Sequence, residues 1–286
     1  MTTDIRQQAI ALYDRFTHEG LGRRTFMARM VALAGSAAAA EALIGAIAAD
    51  PAAAAVVPAD DKRLTTQTQS LVGGYKAYVA EPKNRSRKAT VLVIHENRGL
   101  NEHTRDVARR LALAGFRAVA VDFLSLQGGT PANEDRAREM IGKLDLGKSV
   151  GDATAILGEL AKSSRGGKVG AVGFCWGGGF VNRLAVAAGD RLDAGVVYYG
   201  PGPDPAEVAK VRAPLLIHHA GLDSRIAQTL WPWVAALKRA GKPVAYFNYE
   251  GVNHAFNNDT SAERYNKAAA DLAWQRTLRF FRRYLR

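Results

Sequence analysis

Cysteine is almost missing from this chain: 286 residues carry a single thiol, Cys175. One thiol excludes any internal disulfide and any cysteine-rich zinc site. There is no internal repeat and no recognisable nucleic-acid-binding motif. A long lipid-compatible run is missing too. The most apolar stretch, near the amino terminus, is made of small alanines and is broken by Glu41. Such a composition partitions weakly into hydrocarbon, so stable membrane insertion is not expected.

What is present describes a soluble α/β body. Apolar residues make up 48% of the chain and charged residues 23%, proportions that supply a sizeable core. The length fits one core domain with a smaller appendage. The formal charge of +12 belongs to the body, because residues 1–60 hold five arginines against six acids. In the closing stretch "QRTLRFFRRYLR", Arg276, Arg279, Arg283 and Arg286 share one helical face, with Leu278, Phe281 and Leu285 off it. That is the pattern of a solvated amphipathic helix, and no nucleic-acid partner is expected.

Residues 1–60 form an extension with two readings. "GLGRRTFMARMVALAGSAAAAEALIGAIAADPAAAA" has paired arginines, an apolar run and small residues, and so resembles a twin-arginine export signal with Arg23, Arg24 and Phe26 in place. On that reading the protein is periplasmic. Gly22 and Glu41 depart from the pattern. The other reading is an uncleaved helical arm on a cytoplasmic protein, since Ile5, Ile10, Leu12 and Phe16 recur at helical spacing. An Ala-rich linker would join the extension to a body at 61–286.

The body alternates apolar runs with helical patterns. "TVLVIH", "RAVAVDF", "KVGAVGF", "AGVVYYG", "APLLIHHA" and "VAYFNY" are continuous, as parallel strands buried on both faces must be. "TQTQS" and "GGYKAYVA" read as an antiparallel pair on one edge. Among the helix candidates, "LWPWVAALKRAG" is expected to carry Pro232 in its first turn. In such sheets ligands bind beyond the carboxyl ends of the strands, so catalytic groups belong just after them.

Cys175 stands there. Gly173-Phe174-Cys175-Trp176-Gly177 has the spacing of a nucleophile elbow, G-x-S-x-G with Cys in place of Ser. The flanking glycines suit a tight turn that leaves no room for side chains, and the sulfur would sit over the positive end of a helix. A core cysteine is the plain alternative. A nucleophile needs a base and the base an orienting acid. His254, in "YEGVNHAFNND" after the last strand, is the candidate base. His18 lies in the arm and His103 on a helix, while His95, His218 and His219 belong to strands, where structural hydrogen bonds are expected. Asp223 lies between nucleophile and base and follows a strand; Asp193 and Asp204 also lie between them, but at a strand entry and in a surface loop. The amides of Trp176 and Asn97 are the candidate oxyanion donors. Glu96 is a carboxylate directly after an apolar strand, with Arg98 as a possible ion-pair partner.

Together "HENRGLN", "GFCWGGG", "HAGLDSRI" and "GVNHAFNND" resemble the dienelactone hydrolase family of the α/β-hydrolase superfamily, over roughly residues 65 to 286. The resemblance implies a mostly parallel eight-stranded sheet with helices on both faces. It also implies hydrolysis of a small ester or lactone through an acyl-thioester on Cys175, with His254 and Asp223, and neither cofactor nor metal. In that family the glutamate matching Glu96 meets the resting thiol until substrate displaces it. Members that open dienelactone hold its carboxylate with two arginines; those positions here are Leu126 and Asn258, which leaves Arg98 or Arg225 to substitute. The segment "LSLQGGTPANEDRAREMIGKLDLG" is the only lid candidate and is short, so an accessible pocket is expected. Two other readings stand beside hydrolysis: a redox-sensing thiol, weakened by the lack of a resolving cysteine, and a binding module that keeps the elbow without turnover.

Overall fold

The computed structural model describes residues 3–48, 55–84, 89–163 and 167–286. The Ala-rich linker at 49–54 lies outside the described residues.

Eight strands form one sheet: β1 (Leu64–Ser70), β2 (Lys76–Pro82), β3 (Thr90–Ile94), β4 (Arg117–Asp122), β5 (Val169–Phe174), β6 (Ala194–Tyr198), β7 (Leu215–Ala220) and β8 (Val244–Tyr249). The spatial order is β1-β2-β4-β3-β5-β6-β7-β8. From β4 to β8 all neighbours are parallel, and β1 and β2 form the antiparallel edge, with β2 antiparallel to β4. The central strands β3 and β5 are buried along their whole length, which accounts for their unbroken apolar sequences.

Helices cover both faces. On one side α6 (Leu146–Ser163), α7 (Trp176–Ala187) and α8 (Ser224–Arg239) bury Ile156, Leu157, Phe180, Leu184, Leu230 and Trp233. On the other, α4 (Glu102–Leu113) and α9 (Lys267–Tyr284) bury Val107, Leu111, Ala273 and Phe281. α8 begins earlier than its sequence predicts. Asp223 accepts the Ile226 amide at 3.1 Å and caps the helix there, so Pro232 lies in the helix interior and not in the first turn. In α9, Phe281 and Leu285 are buried as their spacing requires. Arg276 is not simply solvated: its guanidinium stacks 3.7 Å from the Phe247 ring centre and donates to Tyr249 Oη at 3.1 Å.

The amino-terminal segment is three packed helices, α1 (Thr3–His18), α2 (Arg23–Ala34) and α3 (Ala37–Ile47). They share a small core of Ala9, Ile10, Tyr13, Phe16, Phe26, Met30, Ala40, Leu43 and Ile47. The rings of Phe16 and Phe26 stack at 4.3 Å. Among the described residues no single helix is long and apolar enough to cross a membrane; α2 and α3 pass such a test only as a pair bent by 106°. The cluster is docked on the body. Arg264 Nε and Ser261 Oγ donate to the Ile47 carbonyl at 3.1 and 2.6 Å, Arg138 donates to the Phe16 carbonyl at 2.6 Å, and Arg23 pairs with Asp135 at 2.6 Å. Arg23, the first of the paired arginines, is thus engaged in holding the arm.

The remaining piece, α5 (Glu134–Gly142), lies in the predicted lid segment. It packs Ala137 and Ile141 with Leu124 and flanks the arm through Asp135 and Arg138.

Candidate active site

Cys175 sits between β5 and α7 with φ 55° and ψ −114°, a backbone conformation that side-chain-bearing residues rarely adopt. The glycines that permit it have measurable reasons. A Cβ on Gly173 would stand 2.0 Å from the Gly177 carbonyl oxygen, and one on Gly177 would stand 2.4 Å from the Ile94 oxygen. Helix and strands therefore approach as closely as backbone allows. The Trp176 amide becomes the first N–H of α7, and the end of β3, with Glu96 and Asn97 beyond it, is drawn against the elbow.

His254 and Asp223 arrive on the loops after β8 and β7, adjacent strands. His254 Nδ1 meets Asp223 Oδ2 at 2.5 Å, while Asp223 Oδ1 holds the cap of α8. The other His254 nitrogen, Nε2, is buried without a hydrogen-bond partner, and the donor atoms of His254, Cys175 and His18 lie within 4.8 Å of one another. Burial alone would lower the His254 pKa. The charges of Asp223 and Cys175 outweigh it and push the value up to about 10. The Asp223 carboxyl is held below its ordinary range: burial works against this, and the His254 charge overcomes it.

Glu96 is buried with both oxygens occupied. Tyr199 Oη donates to Oε1 at 3.3 Å and Asn258 Nδ2 to Oε2 at 3.2 Å, so Arg98 is not its partner. Arg98 instead binds Glu134 and the Tyr13 hydroxyl. Leu126 is an exposed side chain beside Gly74, and Asn258 is fully buried. Arg225 stands 3.9 Å from Asp223. The strand histidines keep structural partners: His218 with Tyr249 and Thr277, His219 with Tyr246, and His95 with the Glu96 carbonyl.

The arm changes the picture of access. His18, the last residue of α1, puts Nε2 3.9 Å from Cys175 Sγ and its ring 5.0 Å from that of His254. Asn97 Nδ2 donates to the Thr17 carbonyl at 3.2 Å and meets His18 Nδ1 at 3.3 Å. Cys175 is left 6% exposed and His254 2%. In place of the open pocket expected from sequence, the described residues show a covered site: α1 roofs it, and α5 only flanks it. A cleft of ≈ 260 Å³ remains between arm and body, lined by Tyr13, Phe16, Phe26, Met27, Arg98 and Glu134. His18 is the site residue that sequence reasoning missed. The available signal was an amphipathic α1 whose apolar face needed something to cover.

His18, Cys175 and His254 are also the one group of three potential metal ligands among the described residues. Because Asn97 presents its amide hydrogens to His18 Nδ1, the neutral ring carries its proton on Nε2, which is then a donor and not a ligand.

Comparison with known proteins agrees with this architecture. The dienelactone hydrolase family model matches residues 75–285. A protein of Saccharolobus solfataricus named "Putative carboxymethylenebutenolidase" is 31% identical over 245 residues, covering 73% of this chain and 93% of its own. A crystal structure titled as a putative dienelactone hydrolase from Klebsiella pneumoniae superposes with a TM-score of 0.70 at 27% identity, covering 77% of this chain and 99% of that one. The dienelactone hydrolase of Anabaena variabilis, at 21% identity, shares the fold with a TM-score of 0.63 over 78% of this chain and 100% of its own. The chain belongs to the dienelactone hydrolase family, α/β-hydrolase enzymes that cleave ester and lactone bonds.

Proposed function

We propose that this hydrolase cleaves small esters or lactones through a covalent thioester on Cys175. The observation that carries the reading is the Cys175 backbone at φ 55° on the elbow, with the partnerless Nε2 of a Asp223-bound His254 turned to the same site. His254 takes the thiol proton of Cys175 as base, and the Asp223 and Cys175 charges hold the resulting imidazolium facing the sulfur. The thiolate attacks the carbonyl carbon, and the amides of Trp176 and Asn97 receive the oxyanion. Collapse of the tetrahedral adduct breaks the carbon–oxygen bond, and His254 gives its proton to the leaving oxygen. Neutral His254 then takes a proton from water, which attacks the thioester and returns the thiol. Asp223 keeps the imidazole in the needed tautomer throughout. Glu96, close to the elbow but bound by Tyr199 and Asn258, serves as a gate whose charge opposes thiolate until substrate enters.

Neither Leu126 nor Asn258 can grip a carboxylate as arginine does, and Arg98 is engaged with Glu134 and Tyr13. Of the two substitutes, Arg225, with a buried Nη2 that makes no hydrogen bond, is the one left to meet a carboxylate, and simple esters are better substrates than dienelactone unless it does so. Hydrolysis of p-nitrophenyl acetate, p-nitrophenyl butyrate and dienelactone by the wild type and Cys175→Ala tests both points. Ester turnover lost in the variant supports the thioester route, and turnover retained by Cys175→Ala overturns it. Efficient dienelactone opening would show that another basic group supplies the clamp.

Residues 3–47 stay on the working enzyme, in preference to serving as a removed export leader. The support is their packed core and the engagement of Arg23 with Asp135. Sequencing the mature amino terminus from the native host tests this: a start ahead of His18 agrees with it, and a start beyond residue 48 overturns it and favours the periplasm.

A further inference from the structure

The amino-terminal arm does more than cover the site. We propose that His18, delivered by α1, is a further catalytic residue, whose Nε2–H donates to the Cys175 sulfur and steadies the thiolate as it forms. The inference rests on Cys175 being the nucleophile.

Three observations carry it. The Nε2–Sγ distance is 3.9 Å, within reach of a hydrogen bond to sulfur. The ring is oriented from behind. Asn97 is fixed the right way round because its Nδ2 already donates to the Thr17 carbonyl, so its second hydrogen points at His18 Nδ1 and leaves the ring proton on Nε2. The ring also stays neutral. Burial, then the charges of His254, Arg225, Arg264 and Arg98, hold its pKa well below the ordinary value. A neutral ring donates one hydrogen bond without placing a second full positive charge beside the His254 imidazolium.

The surroundings are specified by every element packed there. Glu96 and Arg98 come from the loop after β3, Tyr199 from the end of β6, Asp223 and Arg225 from the start of α8, His254 from the loop after β8, Arg264 from the loop before α9, and Asp14 from α1 itself. His254 and His18 each bring a ring nitrogen within 4.8 Å of the sulfur. His254 must surrender its proton during turnover. His18 need not, and can steady the sulfur while His254 is neutral.

The test is iodoacetamide alkylation of Cys175 across pH in the full-length protein, comparing wild type, His18→Ala and His18→Gln, with the modified residue identified by mass spectrometry. The position of the acid limb reports thiolate stabilisation, and the plateau rate reports access. Loss of one charge-assisted hydrogen bond is expected to slow alkylation on the acid limb about tenfold in His18→Ala, moving the limb to higher pH. His18→Gln, which keeps an N–H donor, is expected to recover most of the shift. A limb that stays in place in His18→Ala while the plateau rises overturns the proposal and makes the arm a cover only. If Cys175→Ala retains full ester hydrolysis, it is the nucleophile assignment that fails, whatever His18 does to alkylation.

Discussion

One carboxylate, Asp223, serves two structures at once: Oδ2 meets His254 Nδ1 at 2.5 Å while Oδ1 accepts the Ile226 amide at 3.1 Å. Replacing Asp223 with Asn keeps an oxygen for the helix cap and presents an amide hydrogen to His254, which turns the ring into the wrong tautomer. Asp223→Asn is expected to fold normally and to lose about 10²- to 10⁴-fold in kcat. Steady-state kinetics beside a melting curve checks both halves; a large loss of Tm would mean that the cap, and not the tautomer, is what the substitution damages.

The same pair sets a pH dependence. His254 is raised from an ordinary 6.5 to about 10, so its charged form binds a proton that the unfolded chain releases earlier. The stability it contributes is fully present below about pH 6.5 and is lost as pH rises toward 10. Tm is expected to fall across that interval, and hydrolysis to decline as pH passes about 10, because the imidazolium that protonates the leaving group is gone. In His254→Gln the Tm slope over the same interval is expected to flatten.

The parts of the site legible in sequence are those set by local rules. Cys175, Asp223 and His254 each follow a strand, and each is announced by glycines or by chain order within a few residues of itself. Docking of the arm obeys no local rule. His18 reaches Cys175 across 157 residues, and its helix looks like any amphipathic helix until the surface under it is known. Pro232 shows the same limit at smaller scale. Proline favours the first turn of a helix, yet the Asp223 cap sets the start of α8 well before Pro232. Glu96 was visible as an odd carboxylate, but its partners Tyr199 and Asn258 come from β6 and β8 loops that only the sheet order brings together.

Glu96 offers a clean charge test. Gln at this position can accept from Asn258 Nδ2 and donate to Tyr199 Oη, so both hydrogen bonds survive. Asn258 cannot turn over in response, because its Oδ1 is held by Thr260 at 2.6 Å. Glu96 and Cys175 both act on Tyr199, whose hydroxyl is pushed far up by burial and then by these two charges. Removing the Glu96 charge is expected to leave Tm within about 0.5 kcal/mol of wild type while accelerating alkylation of Cys175 several-fold, since a like charge no longer opposes thiolate. Unchanged alkylation and turnover in Glu96→Gln would remove the gate.

Asp14 is a cost to the docked arm. Its Oδ1 is buried without a hydrogen bond, with Arg264 at 3.6 Å, and its pKa is raised because burial outweighs the nearby His254 and Arg264 charges. A carboxyl raised in the folded state binds protons that the unfolded chain has released, so stability falls as pH rises from about 4 through the folded value and stays low above it. Asp14→Asn removes that penalty. Its arm is expected to be better docked at neutral pH, with slower proteolysis inside residues 3–48, and to lose the difference from wild type in acid.

The arm's own stability rests on one ring pair. Phe16 and Phe26 stack at 4.3 Å, Tyr13 meets both rings edge-on, and the Arg138 guanidinium from α5 lies 4.2 Å over Phe16. The arm's buried set is small and separate from the clusters on the two faces of the sheet. Phe→Ala in a packed core costs about 3 to 5 kcal/mol, more than three short helices with so small a core can spare. Phe26→Ala is therefore expected to release the arm and leave the sheet intact, a local opening and not a global one. Limited proteolysis is expected to cut within residues 3–48 much faster than in wild type, the main melting transition to stay in place, and the plateau rate of Cys175 alkylation to rise as the roof lifts. If the main transition falls together with the proteolytic resistance, arm and body unfold as one cooperative unit, and α1 is then part of the site's permanent wall.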